Sequence, residues 1–358
     1  MDSGFGSALI RKEKLTEEDL STAFYFSLAV GVIAYLALFL ASPWIAEFYN
    51  APQLEDLLKF SALCTLFGPL SSVQSVQLTR KLDFKTLTKL KVIGQLVSGV
   101  IGICMAYTGC GVWSLVIPGI FSSILNILLL YLYVRWLPKA SWSRESFHYL
   151  WGYGSKMLAS ALLDKIYTNI YPIVIGKFYT PAQLGLYSRA SSYAALPAQN
   201  FTSTIQSVTF PVLSKLQNDD EALARNYRKM LRTSAFIIFP IMMLLAALAS
   251  PFIILLITDK WVSCVILLQI ICFSMMWYPI HAINLNLLMV KGRSDLFFRL
   301  EVIKKCIGVS IMVVTIPLGI EAMCYGGIVS SLLCLVVNTY YTGRLINVGF
   351  IRQMQDLL

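Results

Sequence analysis

Charge is what this sequence has least of. Charged residues fill 13% of its 358 positions and hydrophobic ones 57%, with a mean hydropathy of +0.69. A soluble domain carries about 25% charge, so this balance argues against a water-soluble globule and for an integral membrane protein. Met1–Leu20 is polar and holds no apolar stretch of the kind a secretory leader carries. Eight cysteines are present, but none stand as C-x-x-C and most fall inside apolar runs. That pattern fits small buried side chains better than metal or disulfide roles. A Gly-rich phosphate loop, a nucleophile elbow and metal-ligand spacings are all missing, so neither a cofactor nor a metal is expected. The acidic run Asp219-Asp220-Glu221 reads as a helix start, and the other such run, Glu17-Glu18-Asp19, lies about 200 residues away in the sequence. A polyprenyl-phosphate transferase, which needs such groups to hold magnesium beside a pyrophosphate, is therefore disfavoured.

What the chain does have is apolar length. A membrane-crossing helix needs about 20 residues. Such segments lie near 22–46, 57–78, 92–108, 112–134, 151–176, 183–212, 233–257, 262–289, 302–318 and 323–343. The expected fold is an all-α polytopic membrane bundle of about ten spans. The net charge of +10 would suit a nucleic-acid partner, but its distribution does not. Alternate connections hold 23 lysines and arginines, among them Arg80, Lys89, Arg135, Arg228 and Lys291, whereas the others hold only Lys59, Lys177 and Lys260. The basic connections therefore face the cytoplasm, and no nucleic acid is implied. The outer connections are short, which argues against the large external loop of a polymerase or ligase. The polar stretch Lys215–Arg232 reads as an amphipathic cytoplasmic helix, with Asp219-Asp220-Glu221 at its start and Arg228, Lys229 and Arg232 at its end.

The chain also repeats itself. Gly119-Ile120-Phe121-Ser122-Ser123 returns 208 positions later as Gly327-Ile328-Val329-Ser330-Ser331, and Ala41-Ser42-Pro43 returns as Ala249-Ser250-Pro251 at the same offset. Pro69 and Gln74 match Pro279 and Asn284 at an offset of 210. These matches predict two pseudo-symmetric lobes: 1–136, an interlobe linker 137–150 at the cytoplasmic interface, a six-helix lobe 151–346, and a cytoplasmic tail 347–358. Paired lobes of this kind build a site at mid-membrane that opens to either side. The stretch 150–209 has no partner in the first lobe, so the expectation is that one helical hairpin before residue 1 is missing.

Several motifs carry a family resemblance over the whole chain. They are Asp2–Lys12 (DSGFGSALIRK), Asn169–Tyr171 with Gly176–Phe178, Gln183–Ala190 (QLGLYSRA) and Lys291–Leu296 (KGRSDL). The chain resembles bacterial polysaccharide flippases of the colanic-acid and O-unit type, in the multidrug/oligosaccharidyl-lipid/polysaccharide exporter superfamily. The resemblance implies two six-helix lobes around a cavity in the bacterial inner membrane. It also implies transfer of an undecaprenyl-pyrophosphate-linked oligosaccharide between leaflets by alternating access, with no enzymatic step. Membrane lipids, and a polymerase and glycosyltransferases of the same pathway, are the partners it suggests. Against the family pattern, the first helix and most of the second are absent, as are helices beyond Leu358. A cation-coupled multidrug exporter of the same superfamily and an inactive truncated flippase stay open as alternatives.

Charge inside a membrane is costly and marks a pathway by default. The span 151–176 carries Lys156, Asp164 and Lys165 with Tyr167 and Asn169, and the next span carries Arg189. Asp164 lies about 18 Å from the outer end of its helix, too deep to reach water by extending. Lys165 and Arg189 would meet a pyrophosphate, arginine in bidentate fashion, while hydroxyl and aromatic groups suit sugars. A structural ion pair between Asp164 and a neighbouring lysine is the competing reading, and Lys156 is near enough to the inner face to snorkel. His281 and Asn284 are the candidates for ion coupling, against a plain hydrogen-bonding role for the histidine.

Overall fold

Short polar side chains set where the helices begin. Thr16, in extended backbone, accepts a hydrogen bond from the Asp19 amide while the Asp19 carboxylate accepts one from the Thr16 amide. This reciprocal box opens α1 (Glu17–Phe48). Thr180 and Gln183 do the same for α7 (Pro181–Lys215), with Pro181 in the first turn. Asp83 caps α4 (Phe84–Tyr107) through the Thr86 amide, and Asp219 caps α8 (Asp220–Ala247) through the Ala222 amide.

The structure, a computed structural model, describes residues 6, 9–10, 15–139, 142–148, 151, 158, 162, 165–346 and 348–357. Among these, every regular element is helical. The remaining helices are α2 (Gln53–Ala62), α3 (Cys64–Arg80), α5 (Trp113–Val134), α6 (Ile170–Phe178), α9 (Ala249–Ile257), α10 (Cys264–Met275), α11 (Tyr278–Val290), α12 (Ser294–Thr315), α13 (Ile320–Ile346) and α14 (Phe350–Leu357). Six of the described segments are long and apolar enough to cross a membrane: α1, α4, α5, α8, α10 with α11, and α13. Of the other predicted spans, 151–176 lies partly outside the described residues, and two fall short for local reasons. The helix pair α2 and α3 is broken at Leu63, and α7 carries a polar face, described below. The sequence reading separates a cytoplasmic helix at 215–232 from the next span. Nothing terminates the helix at Arg232, so the polar and apolar parts form one rod, α8.

The chain divides into two compact units, 1–168 and 169–358. In the first, α1 packs on α2 and α3, and α5 packs on both α3 and α4. A β-carbon on Gly31 of α1 would stand 2.8 Å from Pro69 Cγ, so this crossing requires glycine. Leu20, Phe24, Val73, Val76 and Trp136 form the core near the basic end. The chain after α5 folds back on α1: Trp136 Nε1 donates to Glu17 at 3.1 Å, and the amides of Lys139 and Ser143 donate to Ser21 and Thr22. A helical turn at 144–148 then packs Phe147 against Phe26.

In the second unit α7 packs on α10 and α11, and α8 and α13 close around them. Leu223, Tyr227, Leu231, Ile280, Ile283 and Leu287 form a core at the basic end, which α14 covers. The residues that break the helices recur between the units. Left-handed backbone occurs at Asn50 and Thr258, at Leu82 and Gly292, and at Gly111 and Gly319, at the offsets of 208 and 210 that the sequence matches show. The helical turn at 144–148 likewise falls opposite α14.

Candidate functional site

The two faces of α7 are inverted relative to a helix that faces lipid. Ala190, Ala194 and Ala198 are fully buried and let α10 approach closely, packing with Leu267, Leu268 and Ile271. The opposite face presents Arg189, Ser192, Gln199, Asn200 and Ser203, all exposed, with the apolar Leu196 among them. At about 100° per residue these positions form one stripe, roughly opposite the alanines. A polar stripe on a membrane helix is stable only against water or polar groups. The spacing of three and four is readable in the sequence, although Arg189 alone is singled out there.

Arg189 lies about 12 Å along α7 from Pro181. Its guanidinium stands 6.0 Å from the ring centre of Trp261, in the short 3-10 turn Asp259–Trp261. That is cation–π range, and it holds a long side chain against a fixed plate. Sequence reading misses Trp261, because nothing local ties residue 261 to residue 189. Tyr171 and Tyr187 stack nearby in the chain at 6.3 Å with planes 10° apart.

The other predicted residues are distributed as follows. Lys165 is exposed, Tyr167 half-buried and Asn169 exposed just before α6. Lys165 and Tyr167 belong to the first unit, and Asn169 and Arg189 to the second. Asp164 and Lys156 lie outside the described residues. His281 and Asn284 sit in α11. His281 Nδ1 lies 3.0 Å from Asn338 Nδ2 and its Nε2 3.1 Å from Ser331 Oγ. The Asn338 amide nitrogen can only donate, so Nδ1 accepts and the ring proton sits on Nε2. Fully buried Asn284 accepts from the Tyr227 hydroxyl at 2.8 Å and the Thr342 hydroxyl at 2.7 Å, and donates to the Ile280 carbonyl. Gln353 of α14 extends this network: its Oε1 lies 2.9 Å from the Tyr227 hydroxyl, whose one proton is shared between the two amide oxygens, and its Nε2 donates to the Val348 carbonyl.

Beside Gln353, Asp356 accepts from Arg228 Nε at 2.6 Å, from Arg228 Nη2 at 2.9 Å and from Arg232 Nε at 2.7 Å. Burial works to raise the Asp356 carboxyl, but the two arginines outweigh it and hold it below the ordinary carboxylate value.

The profile of the family described as "Polysaccharide biosynthesis protein" matches residues 1–266. The chain belongs to that family. This polysaccharide biosynthesis protein is 26% identical over 300 residues to the teichuronic acid biosynthesis protein TuaB of Bacillus subtilis, covering 83% of this chain and 62% of TuaB. It is 23% identical over 345 residues to the lipopolysaccharide biosynthesis protein WzxC of Escherichia coli, covering 94% of this chain and 68% of WzxC. Among solved structures, the inward closed form of the lipid II flippase MurJ superimposes with a TM-score of 0.78 at 16% identity, covering 99% of this chain and 78% of MurJ. Over its described residues the family member is thus an all-α, multi-pass membrane protein with the fold seen in MurJ.

Proposed function

We propose that this protein moves a polyprenyl-diphosphate-linked oligosaccharide from the inner to the outer leaflet of the bacterial inner membrane, by alternating access and without chemistry on the substrate. The observation that carries the reading is the exposed polar stripe of α7, which sets hydroxyl and amide groups in a row over about 20 Å of helix. On this reading Arg189 meets the diphosphate, where its fork accommodates two oxygens at once. Lys165, Asp164, Tyr167, Asn169 and Lys156 are proposed from the sequence as further contacts for the substrate. Trp261 orients the Arg189 guanidinium. TuaB and WzxC, both named for polysaccharide biosynthesis, and the flippase fold of MurJ support the assignment. His281 belongs to the proposal as the coupling group: a second proton can enter only at Nδ1, which would break its contact with Asn338. Polymerases and glycosyltransferases of the same glycan pathway are the expected partners.

The test is complementation of a strain whose own glycan flippase is deleted. Arg189→Ala should cut surface glycan at least tenfold at unchanged membrane abundance. Arg189→Lys should restore part of it, because the charge survives and the fork does not. Normal export by Arg189→Ala, or failure only through loss of the protein from the membrane, would sink the assignment.

A further inference from the structure

The exposed side of α8 changes character part-way along. Its early turns carry Arg225, Arg228, Lys229 and Arg232, and directly beyond come Phe236, 81% exposed, then Pro240 and Met243. Two clefts follow that change. One, of about 270 Å³, is walled by the four cations and Thr233. The other, of about 530 Å³, shares Arg232 and Thr233 and runs over Phe236, Phe239 and Pro240 to α14. The cationic cleft is built rather than improvised, because Arg228 and Arg232 are both anchored on the buried carboxylate of Asp356. Among the described residues Arg225 pairs with the exposed Glu221, at 3.7 Å. Positive charge therefore remains in excess where polar surface gives way to apolar.

We propose that these joined clefts bind an anionic phospholipid from the leaflet on the basic side of the membrane. Its phosphodiester sits among Arg225, Lys229 and Arg232, and one acyl chain lies along Phe236 and Pro240. Charge complementarity selects an anionic over a zwitterionic lipid, since basic pockets between membrane helices on the cytoplasmic side recognise such headgroups and arginine engages phosphate with two donors. A phospholipid is favoured over the glycan-bearing polyprenyl lipid by what lies beyond the cations. Phe236, Pro240, Met243 and Leu244 offer a chain a surface but a sugar no hydrogen bond, whereas the sugar-compatible groups are on α7. Bound there, the lipid bridges the clefts on either side of Arg232 and braces α8 against α14. The inference does not depend on what the protein transports.

The test is native mass spectrometry and thermal unfolding of the purified full chain with dioleoyl phosphatidylglycerol, dioleoyl phosphatidylcholine or a polyprenyl diphosphate. Phosphatidylglycerol should stay bound and raise the unfolding temperature, and phosphatidylcholine should do neither. Arg225→Gln with Lys229→Gln leaves the Asp356 anchor in place and should weaken phosphatidylglycerol binding at least fivefold. Lys229→Ala alone should weaken it at least twofold, which keeps the test decisive if the double variant misfolds. Lys89→Gln with Lys91→Gln removes the same charge from exposed positions of α4 and should change nothing. Equal binding of both phospholipids, equal loss in the α4 control, or displacement of phosphatidylglycerol by equimolar polyprenyl diphosphate would each overturn the proposal.

Discussion

Asn284 and Gln74 hold matching places in the two halves of the repeat and have opposite surroundings. Asn284 is buried with three partners; Gln74 is buried with neither amide atom hydrogen-bonded among the described residues. A satisfied buried amide cannot be removed without stranding its neighbours, whereas an unsatisfied one can. Asn284→Leu should therefore destabilise by about 1–3 kcal/mol, because the buried network loses an acceptor and leaves Tyr227 only Gln353 Oε1 and Thr342 only backbone carbonyls. Gln74→Leu should be neutral or stabilising. Thermal unfolding in detergent decides it, and a larger loss from Gln74→Leu than from Asn284→Leu would refute the contrast. The sequence shows that both positions are polar and paired by the repeat. The long-range partners of Asn284 come from α8 and α13, 57 and 58 residues away, so its satisfaction is invisible without the fold.

At the scale of elements, α14 was expected to be a tail and is instead a docked helix. Its charge pattern hides this, because Asp356 looks solvated until Arg228 and Arg232 arrive from α8. Gly343 makes room for the turn that leads to it: a β-carbon there would lie 2.7 Å from the Val348 carbonyl oxygen, a backbone atom that cannot swing aside. Gly343→Ala should therefore expel α14. Acid should do so by another route. The folded Asp356 carboxyl is depressed below its ordinary value, so its contribution is present above about pH 4 and is lost as pH falls through the depressed value. A cysteine introduced at Gln353 should be protected from a water-soluble thiol reagent at pH 7 and reactive in Gly343→Ala. Asp356→Asn should loosen the helix at neutral pH and flatten the acid dependence. Equal reactivity of all three chains at pH 7 would rule out the docking. Of the polar stripe of α7 the sequence marked only Arg189, because polar residues such as Thr202 and Thr209 occur off the stripe as well and only the fold shows which of them are buried.

For the whole molecule, helix number and orientation rest on apolar length and on basic residues, both of which are local and survive in sequence. The basic asymmetry places Cys110, in the turn before α5, outside the cell and Asn218, before α8, inside. In a chain keeping only Cys110, an impermeant maleimide should label it in intact cells. A chain whose single cysteine replaces Asn218 should react only after permeabilisation. The reverse pattern would invert the topology. What sequence could not give was how the broken spans are joined, since a helix interrupted at Leu63 or at Met276–Trp277 reads as one apolar run.

The duplicated halves also differ in one small way that dates a functional part. After the left-handed residue that ends each first span, the first unit has two residues, Ala51 and Pro52, before α2 begins at Gln53. The second unit has five, Asp259 to Ser263, before α10 begins at Cys264. From Asn50 and Thr258 to Pro69 and Pro279 the offset grows from 208 to 210, so the second unit has two residues more in this stretch, which includes the 3-10 turn Asp259–Trp261 beside Arg189. At offsets of 208 and 210 Trp261 matches Gln53 and Ala51, so its aromatic ring has no counterpart there. It belongs to a segment by which one copy diverged from the other, so the outer strap is where relatives of this chain should vary most in length while their cytoplasmic turns stay in step.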